Sequence, residues 1–102
     1  QCSTSSRFAR YLLAYAQRYP DAANALYEWY HEFKKQDFNS FQELKEIYGN
    51  ASIVGDNRIV FNILGNHFRL VVRISFVYRS VQLKWFGPHK EYDRIDVYTV
   101  QP

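Results

Sequence analysis

The hydrophobic period of this chain changes once, near Gly49, and that change restricts the fold to helices followed by strands. Upstream, Phe8, Tyr11, Leu12, Tyr15, Ala16 and Tyr19 recur at three and four residues, the stripe of an amphipathic helix that Ser5 or Ser6 can cap. Pro20 is tolerated in a first helical turn and Asp21 suits the positive end of a helix dipole. A second helix is therefore expected, with Ala22, Leu26, Trp29, Tyr30 and Phe33 as its apolar stripe. Ser40 followed by Glu43 forms a capping-box pattern, and Phe41, Leu44, Ile47 and Tyr48 predict a short third helix ending before Gly49.

Downstream the period is two: Ile59, Phe61 and Ile63 alternate with Arg58, Val60 and Asn62. Gly65-Asn66 is expected to close a two-residue hairpin, glycine supplying the positive φ at its first position. In the next strand Phe68, Leu70, Val72, Ile74 and Phe76 share one face, while His67, Arg69, Arg73 and Ser75 take the other. Tyr78 to Ser80 reads as the second turn. Val81 to Phe86 then forms a third strand, with Val81, Leu83 and Trp85 on one side and Gln82 and Lys84 on the other. The expected fold is one α+β domain over residues 1–102, with N-terminal helices covering one face of a three- to four-stranded antiparallel sheet.

The uncovered face should be cationic. Between Asn57 and Lys90 stand Arg58, Arg69, Arg73, Arg79, Lys84 and Lys90, two histidines and no carboxylate. Residues 1–50 carry six basic and six acidic side chains, residues 51–102 seven and four, so the net charge of +3 belongs to the second half. A local field of that kind attracts a polyanion, and RNA is the expected partner. The single cysteine, Cys2, excludes an internal disulfide or a cysteine-rich zinc site and fits a reducing compartment, with cytoplasm as the expectation. The apolar stretch Tyr11 to Ala16 is too short for a membrane span. The chain lacks methionine, and Gln1 to Ser6 read as a processed or added end without function.

Arg69 and Arg73, with Asn62 and Lys84, fall on one face of adjacent strands, where cations without carboxylates repel one another unless an anion visits. His89 follows Gly87-Pro88 where the last strand exits, and Glu91 or Asp93 lies within reach to orient its imidazole, or to pair instead with Lys90 and Arg94. Tyr92 departs from any buried pattern and suits contact with a base. The three histidines lack close metal-ligand spacing, so neither a metal nor another cofactor is expected.

Val60-Phe61-Asn62-Ile63-Leu64-Gly65-Asn66-His67-Phe68-Arg69, with His89-Lys90-Glu91-Tyr92-Asp93, resembles the HigB family of bacterial type II toxins within the RelE/ParE superfamily. Tyr19-Pro20-Asp21-Ala22 and Trp29-Tyr30 are similar to that family's helical half. The resemblance implies a RelE-like α+β fold, cleavage of messenger RNA in the A site of the translating ribosome, and a cognate HigA-type helix-turn-helix antitoxin. Carried over by position, Arg69 matches the central-strand arginine that contacts the scissile phosphate, and His89 falls where relatives place a catalytic His or Arg. Tyr92 and Asp93 match the segment that follows. Metal-free cleavage needs a base, an acid and a cation. Arg69, with Arg73 or Lys84 behind it, would clamp phosphate, His89 would be acid or base, and Tyr92 would stack or assist. Arg58, Asn62, Asn66, Lys90 and Asp93 would position the RNA. Two features depart from the family's pattern: Pro88 stands where relatives often have Thr or Ser, and no N-terminal strand is legible in residues 1–6. A gyrase-inhibiting toxin of the ParE kind and a non-catalytic RNA-binding module are the competing readings.

Overall fold

The computed structural model describes residues 3–102, and of Ser3 the backbone alone; Gln1 and Cys2, part of the end expected to lack function, lie outside it. The α+β expectation holds. In chain order the elements are β1 (Ser3–Thr4), α1 (Ser6–Arg18), α2 (Pro20–Lys35), α3 (Phe41–Ile47), β2 (Ser52–Gly55), β3 (Arg58–Ile63), β4 (Phe68–Ser75), β5 (Ser80–Pro88) and α4 (His89–Tyr92). They build a sheet of order β1-β5-β4-β3-β2 with β4 at its centre. Strands β2 to β5 are antiparallel, and β1 adds a two-residue parallel edge through Ser3 opposite Ser80 and Thr4 opposite Val81. That strand lies in the segment where none was legible, and β2 was also not expected.

The helices start and stop where their caps dictate. Ser5 Oγ accepts from Phe8 N at 3.3 Å, and Ser40 Oγ accepts from Glu43 N at 3.2 Å. Tyr19 ends α1, and Pro20 opens α2 with Asp21 in its first turn and Lys34 and Lys35 in its last. Phe8, Leu12 and Ala16 of α1 and Ala22, Leu26, Trp29 and Phe33 of α2 are buried against Phe61, Leu70, Val72, Ile74, Leu83 and Phe86 of the sheet. Phe68 and Phe86 stack at 5.4 Å with Tyr19 edge-on to both, which fastens the α1–α2 junction over the end of β4 and β5.

Three local features correct the strand reading. Gly65 and Asn66 are the central pair of the turn closed by His67 N to Leu64 O (3.3 Å), but Leu64 also has a positive φ of 54°. The ladder therefore stops at Ile63 opposite Phe68, leaving four residues in the loop. The β4–β5 turn begins at Phe76, earlier than expected, and Arg79 takes its positive φ. Most consequentially, Val71 pairs with Trp85 while Val72 pairs with Leu83, so Lys84 is the extra residue of a β-bulge. The bulge turns Trp85 onto the face away from the helices and lets Phe86 keep the core side.

Candidate active site

The face of the sheet opposite the helices is organised in rows by the strand register. Asn62, Arg69 and Gly87 form one row, Val60, Val71 and Trp85 the next, and Arg58, Arg73 and Gln82 the third. At the first row, Arg69 on the central strand donates from Nη1 to the carbonyls of Asn66 (3.0 Å) and Phe68 (3.2 Å). Its Nε and Nη2 make no hydrogen bond to a described residue, so those donors of the guanidinium remain available to an anion. Asn62 sits exposed directly across the ladder.

The end of β5 brings the second half of the site to the same place. Phe68 pairs with Pro88, and His89 N donates to His67 O at 2.9 Å, so the ladder continues one step beyond the strand. That bond ties the start of α4 to the β3–β4 turn. Pro88 is accommodated as the last residue of β5, before the helical turn. His89 Nε2 lies 4.0 Å from Asp93 Oδ2, one helical turn on. Glu91, the other candidate orienter, points elsewhere and accepts from Tyr19 Oη at 3.3 Å. Of the two carboxylates, Asp93 is therefore the one that faces the imidazole.

Tyr92 packs its ring against Trp85 at 6.2 Å between centroids. Burial pushes its phenol above the ordinary value; Arg69 pulls it down, and Asp93 and Tyr98 raise it again. The net direction keeps Tyr92 protonated at neutral pH, a hydrogen-bond donor close to the Arg69 charge. Strict alternation puts Trp85 on the side of Val81 and Leu83; the bulge moves it to the other face and makes it a wall of this site. Its ring lies over Gly87, where a Cβ would come within 2.7 Å of Cζ2. Sequence reasoning could have found it: Trp85-Phe86 puts two large rings in succession, and a single alternation cannot bury both.

The remaining expected contacts divide. Asn66 and Lys90 are exposed beside Arg69 and on α4. Arg73 and Lys84 are not behind Arg69. Arg73 is four steps along the strand from Arg69, a distance of about 13 Å, and Arg73 Nε donates to Asp56 O (3.1 Å) with the Asp56 carboxylate at 3.7 Å. Lys84 Nζ donates to Gln101 Oε1 (3.1 Å), and its pKa is lowered by burial and then by the Arg58 and Arg73 charges. Arg58 is 3% exposed. Its Nη1 donates to Val97 O (3.0 Å) and Val100 O (2.7 Å), so the C-terminal segment covers it and it is not placed to touch RNA. Among the described residues, no cluster of three or more His, Cys, Asp or Glu is disposed to hold a metal ion, and no helix is long and apolar enough to cross a membrane.

One cation, one imidazole with a carboxylate beside it, and one protonated phenol thus meet at one end of an antiparallel sheet. Comparison with known proteins finds an 85-residue match, 29% identical, to an mRNA interferase HigB from Escherichia coli O6:H1, spanning 81% of this chain and 82% of the relative. Residues 22–95, from the start of α2 through the candidate site, match the HigB_toxin family, and the chain accordingly belongs to this family of RelE-like toxic components of toxin-antitoxin systems.

Proposed function

We propose that this chain is an endoribonuclease that cleaves messenger RNA in the ribosomal A site and so inhibits translation. The observation that carries the reading is the convergence of Arg69, His89 with Asp93, and Tyr92 at the row of Asn62 and Gly87. The name of the Escherichia coli relative supports it. Cleavage begins when a base takes the proton of a ribose 2′-hydroxyl and that oxygen attacks the adjacent phosphorus. The phosphorane's negative charge rests on the free donors of Arg69. The P–O5′ bond then breaks, an acid protonates the leaving 5′-oxygen, and the products are a 2′,3′-cyclic phosphate and a 5′-hydroxyl.

His89 supplies one of the two proton transfers, oriented by Asp93. Tyr92 donates a hydrogen bond to the reacting phosphate or its leaving oxygen, and Trp85 beside it offers a ring on which a base can stack. Asn62, Asn66 and Lys90 position sugar and backbone. With His89 as the base, the protonated Tyr92 is the acid that gives its proton to the 5′-oxygen and Arg69 is the cation, so the proposed mechanism uses no metal. Arg73, about 13 Å from Arg69 along β4, holds the strand beyond the scissile bond. The proposed compartment is the cytoplasm, where ribosomes are. Family membership implies an antitoxin, and the proposed form is a HigA-type helix-turn-helix protein.

The test is primer extension on a message under translation in a purified system, with the intact protein, Arg69→Ala and His89→Ala. Cuts within codons are expected from the intact protein, with rates lower by about 10²–10⁴-fold in each variant. Both variants should keep their fold, since His89 is exposed and the Arg69 side chain bonds only to the carbonyls of Asn66 and Phe68 at the end of the hairpin. Undiminished cutting by the folded variants would overturn the residue roles, and cutting at a 2′-deoxy position would overturn the chemistry.

A further inference from the structure

A cleft of about 440 Å³ opens between α2 and the β3–β4 turn, lined among others by Glu28, Trp29, Glu32, Tyr48, Asn62 and Leu64. Two of its walls are unfinished. Trp29, 8% exposed, has an indole Nε1 with no hydrogen-bond partner, and the buried Tyr48 hydroxyl has none either. Groups of this kind normally find partners in a folded protein, and each that does not calls for an explanation. At the rim, Glu28 and Glu32 stand four residues apart, about 6 Å along the helix axis, and neither is ion-paired to a described residue. Glu32 is close enough to the phenol to act, after burial, as the second cause that pushes Tyr48 up to about 12.

The sheet edge beside the cleft is open as well. The register of β2 on β3 ends at Val60, so β3 from Phe61 to Ile63 has no strand paired on its outer side. An unpaired edge is a template for an extended segment of another chain. We propose that the cleft receives an arginine from an extended segment of a protein partner, namely the antitoxin of this toxin-antitoxin pair. The partner's identity rests on family membership and not on RNA cleavage.

The chemistry selects that residue. Two carboxylates repel phosphate, which excludes nucleic acid here. A guanidinium is planar, carries five donors and is weakly hydrated, so it can bridge Glu28 and Glu32 and still donate to Tyr48 Oη. An ammonium is a compact, strongly hydrated charge that suits one acceptor group better than three spread along a cleft. The indole N–H of Trp29 can only donate, and a backbone carbonyl of the incoming segment is the acceptor it lacks. Leu64, exposed on the rim, covers the methylene stem.

The experiment is a titration of ¹⁵N-labelled protein, without RNA, with N-acetyl-arginine methylamide and with the neutral isostere N-acetyl-citrulline methylamide. The Trp29 indole N–H is expected to shift with the arginine probe alone, while that of Trp85, on the opposite sheet face, stays in place. Glu28→Gln/Glu32→Gln should weaken the effect at least tenfold, and should weaken affinity for the cognate antitoxin by a similar factor. Equal response to citrulline, or an unchanged response in the double variant, would overturn the site. Spermidine displacing the arginine probe with higher affinity, or unchanged antitoxin affinity in the double variant, would overturn the partner. Cleavage by the free double variant should equal that of the parent, so a failed cleft and a failed nuclease assignment are read separately.

Discussion

Gly87→Ala probes the least forgiving contact of the candidate site. A Cβ at Gly87 would sit 2.7 Å from Trp85 Cζ2 and 2.8 Å from Cη2, whereas carbon atoms pack best at about 3.5–4.0 Å. The ring must retreat by about 1 Å or the strand must shift. Trp85 cannot retreat freely, because Tyr92 packs beside it and Val71 lies across the ladder. Forcing a methyl group into such a contact costs about 1–3 kcal/mol. For a domain of this size each kcal/mol lowers Tm by about 4–8 °C. The assay is urea unfolding followed by circular dichroism, in a double-mutant cycle with Trp85→Ala. Once the ring is gone, Gly87→Ala should cost less than about 0.5 kcal/mol, or stabilise by about 0.4–1 kcal/mol through the unfolded chain. An equal cost in both backgrounds would refute the argument that the ring, and not the backbone, requires glycine here.

Arg58→Met keeps the apolar stem and removes two charge-assisted bonds to Val97 O and Val100 O, each worth about 1.5–3 kcal/mol; exchange of the amides of residues 97–101 should accelerate well before the sheet opens, and unchanged protection would refute the pinning role. Ser40→Ala removes the cap of α3 and should lower stability by about 0.5–2 kcal/mol in the same unfolding assay. For Tyr48 the folded pKa, about 12, lies above the unfolded value of 10.0, so its contribution is complete below pH 10 and is lost as pH rises toward 12. The alkaline limb of the stability profile should therefore flatten in Tyr48→Phe, and thermal melts between pH 9 and 12 on both proteins measure it.

The first three helices were legible because each carries its own punctuation: Ser5, Pro20 with Asp21, and Ser40 with Glu43 act within a few residues of the bonds they make, whereas the single turn α4 was read only as the loop after the last strand. The alternation of β3 and β4 was legible for the same reason, since Arg58 to Ile63 and Phe68 to Ser75 run without a bulge against each other. β1 and β2 were not, because strands of two and four residues are defined by their neighbour and not by a pattern of their own. The bulge at Lys84 was hidden by the assumption of strict alternation, and with it Trp85. Within the candidate site, Arg69 and His89 were found by residue type and position. The choice of Asp93 over Glu91 needed the structure, because it depends on Tyr19, which is 72 residues from Glu91 in sequence.

The fate of Arg58 shows why a cationic strand pattern is not by itself a binding surface. Val60 and Val71 lie on the face away from the helices, yet they are 4% and 0% exposed. They lie in the same row as Trp85, outside the main core. The chain after Asp93 is placed over this face by Arg58, which holds Val97 and Val100, by Lys84 at Gln101, and by the close approach of Tyr98 to Gly55. A middle row of valines makes that placement favourable, since the segment removes apolar surface from water while the arginine satisfies its carbonyls. Two cations that the strand pattern presents as ligands for RNA are thus engaged in holding the tail, and the row of Asn62 and Arg69 beyond it stays accessible. Which cations reach a substrate is therefore decided by the path of the nine residues after Asp93, for which the alternation of the strands beneath them carries no information.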